Sequence, residues 1–165
     1  MKKTTKTEYE LTLELGSALA QNIQEIVIAR PGRIDISVPA LKILDVAISL
    51  RDDFAFDQVV SVSGVDYVEQ GIFSVIYHIV MRREKTYRQL VIALKTEIPR
   101  DAPRLHTLAY VWPSAEFQER ETHELLGIEF IEHQNLGPFL LPEDWEGGWP
   151  LRKDFVWPSS KEVEK

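Results

Sequence analysis

Apolar residues recur along this chain with two periods, and the switches between them mark its elements. Leu11, Leu15, Ala18, Leu19 and Ile23, with Asn22, fall at helical spacing and predict a helix from Leu11 to Ile23, weakened by Gly16. The stretch EIVIARPGRIDISVP then changes character. Two short apolar runs flank the turn dipeptide Pro31-Gly32, and Ile34, Ile36 and Val38 alternate with Asp35 and Ser37. That pattern predicts a hairpin with one solvated face. Pro39 suits the first turn of a second helix, in which Leu41, Leu44, Ala47 and Ile48 form the apolar stripe and Lys42, Asp45 and Arg51 point away. Three strands follow, over about Gln58 to Val68, Phe73 to Met81 and about Tyr87 to Thr96. Phe73, Val75, Tyr77, Ile79 and Met81 line one face of the second, and Leu90, Ile92 and Leu94 one face of the third. Arg82–Lys85 links these two strands. The three strands read as an antiparallel meander.

After Pro99 the pattern changes again. All four tryptophans (Trp112, Trp145, Trp149, Trp157) and most of the prolines lie beyond this point. One more helix fits, from Ala115 to Leu126, with Ser114 as its N-cap and Gly127 as its stop. Beyond Ile131 neither period is present, and Pro138, Pro142, Pro150 and Pro158 break the chain repeatedly. The predicted class is α+β, an antiparallel or mixed sheet with helices on one face. Three regions follow: a polar N-terminal tail over 1–10, an α+β domain over 11–127, and a long irregular Pro- and Trp-rich tail over 128–165. Such a tail is too aromatic to be disordered, so it must bury its rings on this domain or on a neighbour.

The last helix carries the densest charge, in ERETHELLGI. On a helical wheel Ala115, Gln118, Thr122, Leu125 and Leu126 share the side that packs on the sheet. Glu119 and Glu121 flank it, and Glu116, Arg120, His123 and Glu124 fill the far side. Phe117 falls among the charges, where an aromatic is wasted unless something covers it. A salt-bridged solvated face is the plain reading. A metal or acid/base site using Glu121, His123 and Glu124, with His133, is the alternative, and would make the chain a stand-alone metal-dependent hydrolase. His123 and Glu124 are adjacent and diverge by ~100°, and no histidine stands at i+4, so the ligand geometry is poor. His78, on the mixed face of a strand, reads as structural, and His106 as exposed in a Pro-rich connection.

Composition narrows the classes. Hydrophobic residues make up 44% and charged residues 27%, a globular balance. There is no cysteine, which excludes disulfides, thiolate nucleophiles and cysteine-ligated iron–sulfur clusters on this chain. The net charge of −7 argues against nucleic acid as a partner. No phosphate loop or nucleophile-elbow motif occurs. The polar start and the lack of a long apolar run predict a soluble, cytoplasmic protein.

Two linked segments carry a resemblance. YVWPSAEFQERETHELLGIEF and LLPEDWEGGWPLRKDF resemble the signature of the respiratory complex I 30-kDa subunit family, part of NADH–quinone oxidoreductase. The match runs through Trp112, Pro113, Ser114, Ala115, Glu119, Arg120, Glu121, Glu124, Leu125, Gly127, Ile128, then Trp145, Gly147, Pro150, Leu151, Arg152, Lys153, Asp154 and Phe155. The chain departs where the family commonly has Trp-Asp and this sequence has His123-Glu124. It departs again at Glu132-His133-Gln134-Asn135 and at Trp149, in place of Gly-His-Pro segments. That drift is similar to the related subunits of energy-converting membrane-bound [NiFe] hydrogenases and ferredoxin-linked complexes.

The resemblance implies a non-catalytic subunit with no cofactor of its own, in a hydrophilic arm peripheral to the cytoplasmic side of the cell membrane. It would pack on the large catalytic subunit, of quinone-site or [NiFe] hydrogenase type, beside iron–sulfur subunits, and touch the membrane arm only indirectly. Iron–sulfur clusters and the quinone or NiFe centre would reside on those partners. The expected interface comprises Phe117, Glu119, Arg120, Glu121 and Glu124 on the helix and Trp145, Trp149, Leu151, Arg152, Lys153, Asp154 and Phe155 on the tail.

Overall fold

The computed structural model describes residues 8–83 and 90–157. Helix α1 (Glu8–Leu19) leads into the hairpin β1 (Glu25–Arg30) and β2 (Arg33–Ser37). A 3-10 turn then enters α2 (Ile43–Asp52), followed by β3 (Gln58–Tyr67), β4 (Ile72–Val80), β5 (Val91–Pro99) and the short β6 (Arg104–His106). Another 3-10 turn enters α3 (Glu116–Leu126), and β7 (Glu129–Ile131) closes the regular structure. Five strands form one sheet in the order β1-β2-β5-β4-β3, and β6 pairs with β7 in a second, two-stranded sheet. The hairpin and the β3-β4-β5 meander are antiparallel, while β2 joins β5 in parallel and makes the large sheet mixed. The expected α+β class is present.

The core lies on one face of the sheet. Phe73, Val75, Tyr77 and Ile79 of β4 stand opposite Ile98, Thr96, Leu94 and Ile92 of β5, and all eight are buried. Ile34 and Ile36 extend that face across β2. Leu11, Leu15 and Leu19 of α1 join the same cluster. These alternating positions are the ones that the period-two pattern exposes, which is why the strands were legible.

Several elements differ from the sequence expectation. Helix α1 begins at Glu8 and ends at Leu19, where the N–H groups of Asn22 and Ile23 both turn back to the Leu19 carbonyl. In α2 the buried stripe is Ile43, Val46, Ala47 and Leu50, whereas Leu41 is 89% exposed and Ile48 40%. The segment is apolar on two overlapping stripes. The 3-10 turn over Ala40–Lys42 has three residues per turn, so Leu41 leaves the phase of the α-helix that follows. Asp35, expected on a solvated face, is buried because β2 sits inside the sheet. It receives the guanidinium of Arg33 at 2.6 Å and the ammonium of Lys95. Burial opposes its ionisation, but these donors outweigh it and hold the carboxyl below its usual range. Residues 128–131, expected in the tail, belong to the domain through β7. The expected start of the third strand at Tyr87 and the Glu84-Lys85 end of the link lie outside the described residues.

Edge strand β3 is covered by the stretch that leads into α3. Ser114, expected as an N-cap, lies within the 3-10 turn Pro113–Ala115, and its hydroxyl accepts the Val59 N–H at 3.1 Å. Gln118 Oε1 accepts the Val62 N–H at 2.6 Å. Two N–H groups of an edge strand are thereby satisfied by side chains from another element. Gly64 lets α3 sit against the strand: a Cβ there would lie 2.3 Å from Leu126 Cδ1 and 3.0 Å from Thr122 Cγ2. Leu126 is 2% exposed and has nowhere to swing. Gly64→Ala is therefore expected to lower stability by about 1–3 kcal/mol, the usual cost of overpacking. Urea unfolding measures it, and an unchanged midpoint would show that α3 is not seated this closely.

Candidate functional site

Helix α3 is the element around which the chain's chemistry-bearing side chains gather. Glu119, placed by the wheel at the edge of the packed side, is wholly buried. One carboxylate oxygen accepts the Tyr77 hydroxyl at 2.8 Å and the Leu108 N–H at 2.8 Å, and the other accepts the Thr107 hydroxyl. Tyr77 belongs to the central strand β4, and Thr107 and Leu108 follow β6. One carboxylate thus ties helix, sheet and connection together. The His133 imidazole, 1% exposed, stands with Nε2 4.0 Å from Glu119. Its Nδ1 accepts the Asn135 N–H, so its proton sits on Nε2 and is donated to the Glu116 carbonyl at 3.2 Å. Glu132, just before it, holds φ at 66°, a left-handed turn that directs the imidazole inward.

Two further charges of α3, Glu124 and Arg120, hold the tail. The Glu124 carboxylate accepts the N–H groups of Phe139 at 2.8 Å and Leu140 at 2.6 Å. Burial opposes its ionisation, but these backbone donors keep its pKa low. Arg120 donates to the Pro138 carbonyl at 3.3 Å and stands 4.4 Å over the Phe139 ring. Past a loop, Leu151 N–H and Arg152 Nε reach the carbonyls of Leu125 and Leu126, the free acceptors at the end of α3. Arg152 stacks 3.8 Å over Trp149 and 5.2 Å over Phe73. Gly127 ends α3 at φ +74°, as expected. A Cβ there would come within 2.3 Å of the Trp149 ring, so this position needs glycine for its turn and for the indole. Asp66, at the end of β3, accepts Arg100 at 2.8 Å and the Lys153 N–H at 2.9 Å, and Arg100 also pairs with Asp154.

The expected interface therefore divides. Glu119 is a correction: it lies inside the domain, where no partner reaches it. Arg120, Glu124, Arg152 and Asp154 are engaged with the chain's own tail or the strand beneath it. The backbone of Lys153 is held by Asp66, and its side chain is exposed. Phe117 (56% exposed), Glu121, Trp149 and Leu151 remain at the surface. Trp145 and Phe155 are half-buried in a three-ring cluster with Trp157, at centroid distances of 5.5–6.2 Å. The metal reading gathers nothing: Glu121 points outward, His123 Nδ1 is bound to the Ile128 carbonyl at 2.8 Å, and Glu124 is taken up by backbone. Among the described residues, no three His, Asp or Glu side chains are grouped to hold a metal. His78 pairs through Nδ1 with the Ser61 hydroxyl at 2.8 Å, and His106 lies on β6. Tyr77, Thr107, Asp66 and Arg100 were not singled out from the sequence. Tyr77 looked like one more core aromatic, and only its hydroxyl hinted at a polar partner.

A family model described as "Respiratory-chain NADH dehydrogenase, 30 Kd subunit" matches residues 36–161. The chain belongs to this family. A subunit of the F(420)H(2) dehydrogenase of Methanosarcina mazei is 40% identical over 141 residues, covering 86% of this chain and 87% of that one. In structure, the chain is similar to a chain of the membrane-bound sulfane sulfur reductase, an archaeal respiratory membrane complex. The TM-score is 0.75 at 27% identity, over 90% of this chain and 85% of the other. It is also similar to the trypsin-resistant fragment of Nqo5, with a TM-score of 0.63 at 25% identity, over 78% and 98% of the two chains. Family membership agrees with the resemblance carried by the two tail-and-helix motifs. In this chain the motifs meet in space: the second segment lies on the C-terminal end of the helix in the first.

Glu119 gives a pH-dependent prediction. Burial raises its pKa above the ordinary 4.5, and the Thr107, Leu108 and Tyr77 donors only partly offset this. The folded chain thus holds this proton more tightly than the unfolded chain. That contribution is complete below the unfolded value near 4.5 and is lost as pH rises through the higher folded value. Glu119→Gln should flatten this part of the stability–pH profile and stay within about 1 kcal/mol of wild type at neutral pH. Glu119→Ala should lose about 3 kcal/mol or more, because it leaves a cavity and buried donors without acceptors. Denaturant unfolding from pH 4 upward checks both, and an unchanged profile in the glutamine variant would contradict the assignment.

Proposed function

We propose that this chain is a non-catalytic docking subunit of a complex I-like membrane-associated electron-transfer complex, covering the large catalytic subunit with α3 and its tail. The observation that carries the reading is the division of labour in the tail. Its backbone and Arg152 are fastened to the domain, while apolar side chains of α3 and the tail stay outward: Phe117 56% exposed, Leu151 56%, Val156 82% and Trp157 70%. A fixed, aromatic, outward-facing surface is what a protein partner anchors on. The absence of cysteine supports a role without iron–sulfur clusters of its own, with those clusters and the quinone or NiFe centre on partner chains. No helix among the described residues is long and apolar enough to cross a membrane, so attachment through partners fits the reading.

The 40% identity to an F(420)H(2) dehydrogenase subunit favours a dehydrogenase of that kind over the hydrogenase branch suggested by His123. The hydrolase alternative gains no support from the scattered Glu121, His123 and Glu124. Co-expression with the large catalytic subunit from the same source tests the proposal. The large subunit should co-purify with this chain. The pair Phe117→Ala and Trp157→Ala should lower its recovery about tenfold or more, with the isolated chain still unfolding cooperatively and losing no more than about 1–3 kcal/mol, the worth of the ring contacts removed. Full recovery with the double variant would refute docking through this surface.

A further inference from the structure

Between the end of α3 and the looped tail lies an open cleft of about 380 Å³, bordered by His123, Glu124, Glu143, Trp145, Glu146 and Trp149. Its charge is one-sided. Three of the residues are glutamates, and among the described residues that line it there is no lysine or arginine. The donors that could have served a ligand are already committed. Trp145 Nε1 donates to the Gly148 carbonyl at 2.7 Å, and the N–H groups of Phe139 and Leu140 go to Glu124. His123 has its Nδ1 on the Ile128 carbonyl, which can only accept. Its Nδ1–H is therefore spent within the chain. What remains is the carboxylates of Glu143 and Glu146, the two indoles, and an apolar wall of Leu136, Pro138, Leu141 and Pro142.

We propose that this cleft receives an arginine side chain of the protein that covers the tail. The proposal rests on the docking reading above and names the chemistry by which the partner is recognised. An anion would be repelled by the glutamates, and a wholly apolar group would cover the Leu136, Pro138, Leu141 and Pro142 wall but leave the carboxylates without a counter-charge, whereas a long cationic side chain lays its aliphatic stem on that wall. A cation satisfies both the carboxylates and the rings. Guanidinium suits the cleft better than ammonium, because its planar face stacks on indole while its edge donates in a fork. The tail already uses this contact internally, with Arg120 over Phe139 and Arg152 over Trp149. The cleft presents the same kinds of partner, aromatic and acidic, to the outside. Its volume is near the lower end of the ~300–1,000 Å³ of ligand pockets, room for one long side chain.

The test uses the full chain labelled with 15N and, as probe, N-acetyl-arginine-N-methylamide. Its citrulline counterpart has the same shape without the charge. The arginine compound should move the indole N–H signals of Trp145 and Trp149 saturably. Citrulline should act about tenfold more weakly, in keeping with a cation–π and carboxylate site. Glu143→Gln with Glu146→Gln should abolish the difference while leaving near-ultraviolet circular dichroism unchanged, and Glu25→Gln, on β1 at the sheet edge opposite β3, should preserve it. Equal shifts with citrulline, the same shifts with sodium chloride at matched ionic strength, or no shift with arginine would each overturn the proposal. If the large subunit still co-purifies while the arginine probe is silent, the cleft assignment falls and docking stands. If the probe binds but no large subunit is retained, docking fails and the partner assignment fails with it.

Discussion

The carboxylate of Glu119 holds together three parts of the chain that are far apart in sequence. A charged group with no exposed surface is costly unless every lone pair is used. Here the Tyr77 hydroxyl, the Thr107 hydroxyl and the Leu108 N–H converge on it. The donors come from the middle of the sheet and from the connection after β6, so α3 can occupy only one position relative to both. Gly64 makes that position close enough to pack, and Ser114 and Gln118 close the edge of β3 beneath it.

Everything distal depends on that placement. With α3 fixed, its last carbonyls face outward and are taken by Leu151 and Arg152. Glu124 and Arg120 bind the earlier loop of the tail, while Asp66 and Arg100 catch the later one. The tail has no strand or helix of its own among the described residues after β7, yet it follows a defined course, because its backbone groups are satisfied by side chains and free ends of the domain. Leu151, Val156 and Trp157 then point outward as a consequence of where the backbone is held. A surface held this way is largely preformed, so the proposed docking would lose little ordering entropy.

The charged residues of ERETHELLGI illustrate how one stretch of helix can serve two purposes. Glu119 faces in and organises the domain, whereas Arg120 and Glu124 face out and organise the tail. Neither set is arranged for acid/base or metal chemistry, since Glu119 and Glu124 are both used up by donors from the chain itself. His133 belongs with the inward set. Its ring fills the space beneath the first turn of α3, and the left-handed Glu132 before it is the local strain that this burial offsets.

Local patterning determined much of this protein. Alternation in RIDISV and FSVIYHIV marked the strands, Pro31-Gly32 marked the hairpin, and Gly127 marked the end of α3, because these signals act over two to four residues. The pairing of WPSAEFQERE with WPLRKDF also carried the family. Only the tertiary structure decided which stripe of α2 is buried, since a 3-10 turn sets its phase. It alone decided that β2 runs parallel to β5 and so buries Asp35. Above all it decided that Glu119 is interior. Its partners lie 42, 12 and 11 residues away, and no local period encodes a hydrogen bond over such distances. The same reason applies to Arg120, Glu124 and Arg152: their charge was visible in the sequence, but what they hold was set by where the tail returns.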